Sequence, residues 1–252
     1  YCLARALAKI PEAILLPREL SLPGPWSEAH GSHLTLRRQR IFRQTTKMVP
    51  SPQPTRRLTV EDILTEKSAL RLQLRATRTA FVAGLDAMAH RLAFRALPSP
   101  LRERLNRCGT VALYIPLDDE APADRLAEAL IAQGKKLCLP HVIDRMGTME
   151  FRAWSPGDPL IEGRFGTRSP GTSAEICDPD AIFAPLLAFD GAMTRLGQGG
   201  GYYDRAFARH ERALRIGVGW SVQQADTLPC DPWDLPLDCV LTERSLIEGV
   251  SA

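Results

Sequence analysis

Residues 181–209 read AIFAPLLAFDGAMTRLGQGGGYYDRAFAR. The apolar run AIFAPLLAFD predicts a buried strand ending at Asp190, and GYYDRAFARHERA predicts a helix beginning near Gly201. Between them, RLGQGGGYYDR packs four glycines, two tyrosines and flanking charges into residues 195–205. A strand, a glycine-rich loop and a helix in succession are one half of a β-α-β unit, and the loop falls where open sheets bind ligands, beyond the carboxyl end of a strand.

The same alternation extends outward. TVALYIP at 110–116 predicts a buried strand, and PADRLAEALIAQGKK a helix with proline near its start and Gly134 at its end. KLCLPHV, MEFRAW, LRIGVGW and DCVLTE predict further strands. The expected fold class is α/β: an open, largely parallel sheet covered by helices, Rossmann-like and three-layered. Before it, residues 59–97 are rich in helix formers and free of proline, predicting a long basic helix with Thr59 as its cap and Glu61 and Asp62 in its first turn. Lys67, Arg71, Arg75 and Arg78 follow at spacings of four, four and three, so they share one face. A solvated basic face and a row of cations aimed at phosphate both fit that spacing.

The glycine loop matches neither standard nucleotide motif. A dinucleotide fingerprint starting at Gly197 requires glycine at position 202, where Tyr202 stands, and a Walker loop requires Gly-Lys-Ser/Thr before the helix. The physics of anion binding survives this mismatch, because bare backbone can approach an anion closely and the N–H groups opening a helix attract phosphate. A plain surface turn remains the competing reading.

Composition narrows the function classes. With 44% apolar and 24% charged residues the chain is of ordinary globular type, and no apolar run approaches a membrane span. Its six cysteines are scattered without a Cys-x-x-Cys pair, which argues against a zinc site or a disulfide framework and for a reducing, cytoplasmic setting. Residues 1–57 hold ten Lys/Arg against three acids, a net +7, whereas the rest holds 22 against 26, a net −4. A nucleic-acid face on the globular part is therefore not expected. The tail shows no sustained period and passes into the Pro/Ser-rich MVPSPQPTRR. It fits an Arg-rich targeting peptide, a basic arm, or upstream sequence foreign to the protein with Met48 as the true start; the last is preferred. The expected division is a disordered or non-native extension, 1–57, and a single catalytic domain, 58–252.

Taken together, APLLAFDGAMTRLGQGGGYYDRAFAR, KSALR at 67–71, ALYIPLDDEAPAD and IGVGWSVQQADTLPCDPWDLPLDCVLTE resemble, in order, the 5-formyltetrahydrofolate cyclo-ligase (5,10-methenyltetrahydrofolate synthetase) family, whose signature runs R-L-G-x-G-x-G-Y-Y-D. The resemblance covers about residues 60–245. It implies closure of 5-formyltetrahydrofolate to 5,10-methenyltetrahydrofolate with splitting of ATP to ADP and phosphate, with magnesium. The implied partners are those two substrates, with the chain acting as a monomer and contacting neither nucleic acid nor membrane.

By the same resemblance, Lys67 and Arg71 meet the ATP phosphates, Arg71 nearest the transferred group and catalytic. Arg195, Leu196, Gly197, Gln198, Gly199, Gly200, Gly201, Tyr202 and Tyr203 hold the nucleotide, and the stretch from Gln198 to Tyr202 also borders the folate. Ile115 and Glu120 bind the folate, and Asp204 and Asp234 hold magnesium. Each has a plainer competitor: Asp204 as a helix-end charge, Asp234 as a turn residue, Ile115 as a core residue, and one of the tyrosines as a core anchor. Asp190 is read as support beneath the loop. The chain departs from the pattern at Trp233, where relatives carry histidine, and at Arg168-Ser169, where they often carry an acid before proline. A sugar-phosphate isomerase or CoA-transferase-like activity on this fold, and a non-catalytic folate or nucleotide binder, are the alternatives.

Overall fold

The computed structural model describes residues 60–144, 148–231 and 234–249, with side chains from Lys67 onward. The expectations for residues 1–57, Met48, Thr59, the side chains of Glu61 and Asp62, and Trp233 lie outside the described residues. All described residues belong to one compact unit, Thr55–Ala252.

Helix α1 spans Val60–Ala83, α2 Ala87–Leu92 and α3 Ser99–Leu105. The single long helix expected over 59–97 is thus divided. Gly84 ends α1, and the Asp86 side chain accepts hydrogen bonds from the N–H groups of Met88 and Ala89, at 2.8 and 3.2 Å, capping a new helix. Strand β1 is Thr110–Ala112. A 3-10 turn at Ala123–Leu126 runs into α4, Ala127–Ile131, which Gly134 closes at φ +74° as expected. Then come β2 (Lys136–Val142), β3 (Met149–Ala153), β4 (Leu160–Glu162), β5 (Arg168–Pro170) and β6 (Ile176–Cys177). The remainder is β7 (Ala181–Pro185), β8 (Ala188–Phe189), β9 (Arg195–Leu196), α5 (Tyr202–Arg209), β10 (Leu214–Val218), β11 (Cys239–Leu241) and β12 (Leu246–Glu248).

Eight strands form the main sheet in the order β12-β11-β10-β7-β1-β2-β3-β6. The central five, β11 to β2, are parallel, and β12, β3 and β6 add antiparallel edges. The alternating side-chain period supplies two cores. Val111, Phe183, Ile216 and Leu241 face the side covered by α3 and α4, where Leu101, Leu105 and Leu130 are buried. Ala112, Ile182, Ala184 and Val240 face α5, through Ala206 and Phe207. The central strands are buried on both faces, as parallel strands between helices must be. The chain leaves β1 toward β2 on one side and returns to β7 on the other, so the direction of winding switches between β1 and β7.

The expected strand to Asp190 is shorter. β7 stops at Pro185, and the carbonyls of Leu186 and Leu187 accept the Gln223 side-chain amide at 2.7 and 3.0 Å instead of continuing the ladder. β8 then pairs antiparallel with β9 as a separate two-stranded ribbon. The glycine loop rises from that ribbon rather than directly from the sheet.

Candidate active site

Three segments at the carboxyl ends of the parallel strands converge: the turn after β1 that ends in Glu120, the loop 197–201 between β9 and α5, and the segment after β10 that carries Asp231 and Asp234. Helix α1 lays its basic face across them. A ligand site beside the β1/β7 switch is the expected location in an open α/β sheet.

The four cations of α1 have different partners. Lys67 is 5% exposed, and its ammonium donates to Asp231 Oδ2 at 2.7 Å and Asp234 Oδ2 at 2.6 Å. Burial pulls its pKa down, but the two carboxylates outweigh that and leave it raised. Arg71 Nε donates to the Gly197 carbonyl at 3.0 Å, and among the described residues its other two nitrogens are uncommitted. Arg75 donates to Gln198 Oε1 from Nε and Nη2, at 3.1 and 2.9 Å. Arg78 Nη2 meets Asp119 Oδ1 at 2.5 Å. The face is therefore docked on the loops and not simply solvated.

That docking explains much of the bare backbone. Gly199 lies at φ +105°, a conformation L side chains rarely adopt, and a Cβ there would sit 3.4 Å from Arg71 Cζ. Gly201, at φ +65°, is the N-cap of α5 and offers no side-chain cap, so the first N–H groups of that helix are left for another acceptor. Asp204 lies in that first turn and accepts from Arg195 Nη2 at 2.6 Å. Arg195 is turned inward: its side chain is 5% exposed, Nη1 donates to the Pro185 carbonyl at 3.1 Å, and its guanidinium lies over the Tyr203 and Phe207 rings. Tyr203 packs beside Phe207, while the Tyr202 hydroxyl donates to the Asp144 carbonyl at 3.1 Å. Leu196 is buried in the ribbon. Asp190 accepts from the N–H groups of Ala192, Thr194 and Leu228, tying the ribbon's turn to the later segment.

Glu120 is 8% exposed, accepting the Leu117 N–H and the Gln198 side-chain amide, both at 3.1 Å. Burial raises its pKa, opposed by those two donors and by the Arg78 charge. Ile115, just before this turn, is half-buried against the core on the α3/α4 side. Gln198 is the junction of the site, since its carbonyl oxygen takes Arg75 and its amide reaches Glu120.

The sequence profile of the 5-formyltetrahydrofolate cyclo-ligase family matches residues 63–243. The chain belongs to that family. The 5-formyltetrahydrofolate cyclo-ligase of Escherichia coli K12 is 32% identical over 147 residues, 55% of this chain and 80% of the relative. That of Haemophilus influenzae is 32% identical over 139 residues, 52% and 74% of the two chains. Among solved structures, the Aquifex aeolicus 5,10-methenyltetrahydrofolate synthetase shares 31% identity and superposes with a TM-score of 0.59, covering 74% of this chain and 95% of its own. The Mycoplasma pneumoniae synthetase shares 25% identity at a TM-score of 0.54, covering 71% and 99%. The family couples cyclisation of 5-formyltetrahydrofolate to ATP.

Within this cyclo-ligase-family fold, the residues selected from the sequence gather around one loop, except Ile115, which packs against the core; Arg195 lies under the loop, its guanidinium taken up by Asp204 and the Pro185 carbonyl. Sequence reasoning missed Asp231, Asp119 and the distinct role of Arg78. Asp231 stands three residues before Asp234, and its buried Oδ1 has no hydrogen-bond partner among the described residues. The repeated Asp-x-x-Asp was visible in the sequence, but nothing local showed that Lys67 joins the pair. The Arg168-Ser169 departure is accommodated by β5, where the buried Ser169 hydroxyl meets His141 Nδ1 at 3.0 Å. No group of three or more His, Cys, Asp or Glu suited to a metal occurs among the described residues. No helix among them is long and apolar enough to cross a membrane.

Proposed function

We propose that the chain closes 5-formyltetrahydrofolate to 5,10-methenyltetrahydrofolate while ATP is split to ADP and phosphate. The formamide oxygen is a poor leaving group. Transfer of the γ-phosphoryl group to it releases ADP and makes an activated imino phosphate. N10 then attacks the formyl carbon and gives up its proton, the C–O bond breaks, and phosphate leaves taking up that proton. Catalysis of this kind rests on positioning two reactants and balancing phosphate charge.

The observation that carries the reading is the shared loop 197–201. Arg71 and Arg75 grip it from one side, and its Gln198 touches Glu120 on the other. One short segment thereby borders both a phosphate subsite and a pterin subsite. Arg71, held at Nε by the loop, has two N–H-bearing nitrogens for the transferred phosphoryl group. Lys67, the loop from Leu196 to Tyr203 and the open start of α5 take the remaining phosphate charge. Arg195 supports the loop from beneath. Glu120, in its ionised form, accepts from the donor edge of the pterin, with Ile115 and the stretch Gln198–Tyr202 beside it.

The donor chemistry fits magnesium. Asp204 and Asp234 are hard carboxylates on the two segments that flank the phosphate subsite; Asp231 and Asp234 share the single charge of Lys67, and Asp231 Oδ1 has no hydrogen-bond partner among the described residues. Asp204 and Asp234 would hold the ion. When bound, magnesium neutralises phosphate charge. The proposed catalytic unit is residues 58–252, working as a monomer in a cytoplasmic setting with no nucleic-acid or membrane partner. The test is incubation with 5-formyltetrahydrofolate with and without magnesium and ATP, following the near-ultraviolet absorbance of the methenyl product. Absorbance that develops equally without ATP, or not at all with it, refutes the proposal.

A further inference from the structure

Arg78 is the one cation of the α1 row that no part of the reading above uses. It is 5% exposed, with Nη2 on Asp119 Oδ1 at 2.5 Å, while Nε and Nη1 are enclosed without a hydrogen-bond partner among the described residues. A buried guanidinium with two idle donors is a costly way to fill space, and an apolar side chain would fill it at lower cost. Its surroundings suggest what the charge does. Asp119 has two partners besides Arg78: its other carboxylate oxygen accepts the hydroxyl of Thr79, the next residue of α1, and its carbonyl accepts Trp220 Nε1 at 2.9 Å from the segment after β10. Trp220 is itself fully buried among Phe81, His90 and Phe94.

Asp119 lies in the turn that presents Glu120. That turn is tight: Glu120 N–H donates to the Leu117 carbonyl at 2.9 Å, and Asp118 takes φ +48°, in the left-handed region. A non-glycine residue stays there only where its surroundings over-determine it. The groups facing Glu120 are Tyr114 at the end of the β1 segment, Tyr203 from α5, Asp119 beside it and Arg78 from α1. Arg78 is the positive member of this set, and a carboxylate so deeply buried without a cation nearby would take up a proton.

We infer that Arg78 is a positioning residue for folate recognition: through Asp119 it fixes the 117–120 turn that presents Glu120, and its guanidinium is the positive charge beside that carboxylate. This rests on the reading of Glu120 as the folate contact. Without Arg78, Glu120 would hold its proton to higher pH and lose its acceptor there.

The experiment measures binding of 5-formyltetrahydrofolate by calorimetry across a pH series, together with KM for both substrates. The proteins are the wild type and the Glu120→Gln, Arg78→Met, Arg78→Lys and Asp119→Asn variants. Arg78→Met should weaken folate binding at the acidic end of the series and move to higher pH the point at which affinity falls on acidification, because Glu120 then holds its proton longer, with a further loss at high pH as the turn loosens. Its KM for ATP should stay within about twofold, since Arg78 touches no residue of the phosphate subsite. Arg78→Lys should recover part of the pH shift. Asp119→Asn removes a negative neighbour, so its pH profile should move to lower pH while its affinity at high pH falls as the turn loosens; it answers the question even if Arg78→Met does not fold. An unmoved pH profile in these variants, or equal weakening of folate and ATP, overturns the inference. If Glu120→Gln binds folate with the wild-type profile, the reading of Glu120 itself fails. If Glu120→Gln loses affinity and Arg78→Met keeps the wild-type profile, only the role of Arg78 fails.

Discussion

Replacing Arg71 with alanine separates chemistry from architecture. Among the described residues the side chain makes one hydrogen bond, Nε to the Gly197 carbonyl at 3.0 Å, and is half-buried. Losing a bond of that kind costs about 1 kcal/mol. In a domain of this size that lowers Tm by about 2–4 °C. Its two uncommitted nitrogens are assigned to charge that moves during phosphoryl transfer, and deleting one such preorganised contact costs about 3–4 kcal/mol in the transition state, a factor of 10²–10³ in kcat. The expected outcome is a folded enzyme slowed by two to three decades, with the folate KM little changed. Arg75→Ala is the internal control. It also binds the loop, by two hydrogen bonds to Gln198 Oε1, but it is exposed. Its loss should cost about 1 kcal/mol or less, under about tenfold in rate. The assay is single-turnover formation of the methenyl product with enzyme in excess, alongside thermal unfolding of each variant. Equal and small losses at both positions would refute the reasoning and return Arg71 to a loop-packing role.

Further outcomes follow from the same geometry. Lys67→Met leaves Asp231 and Asp234 facing each other without their cation, and Lys67 and Asp231 side chains are each only 6% exposed. Removing one partner of such a buried pair costs about 3–5 kcal/mol, read as a fall in the urea midpoint; an unchanged midpoint would contradict the buried-pair account. Gly199→Ala forces a Cβ at φ +105° against Arg71, a strain on the order of 1–3 kcal/mol. Its kcat loss should be less than additive with that of Arg71→Ala, and strict additivity would show that the two do not act together. Asp204→Asn and Asp234→Asn should each move activity to higher magnesium at fixed ATP, with excess magnesium restoring part of the rate and the double variant less than additive. Wild-type magnesium curves for both would end the metal assignment. A chain beginning at Met48 should keep full kcat, and a large loss on that truncation would give the tail a role in catalysis.

Local properties were legible in the sequence because they need no partner. Strands β1 and β7 announce themselves as apolar runs, since a strand buried on both faces has no polar side to show. The break before residue 202 and the close approach of other groups to it were implied by glycines alone, and Gly199 and Gly201 do lie at positive φ. The spacing of Lys67, Arg71, Arg75 and Arg78 put them on one face of a helix, yet it was silent on what each would meet. That was decided by topology. Lys67 pairs with Asp231 across 164 residues, and Gln198 with Glu120 across 78, because the chain reverses its winding between β1 and β7 and brings the ends of distant strands together. Charge and hydrogen-bonding capacity are properties of a residue. Whether they are committed to internal partners, as at Arg195, or left uncommitted among the described residues, as at two nitrogens of Arg71, depends on distances that only the packed sheet sets.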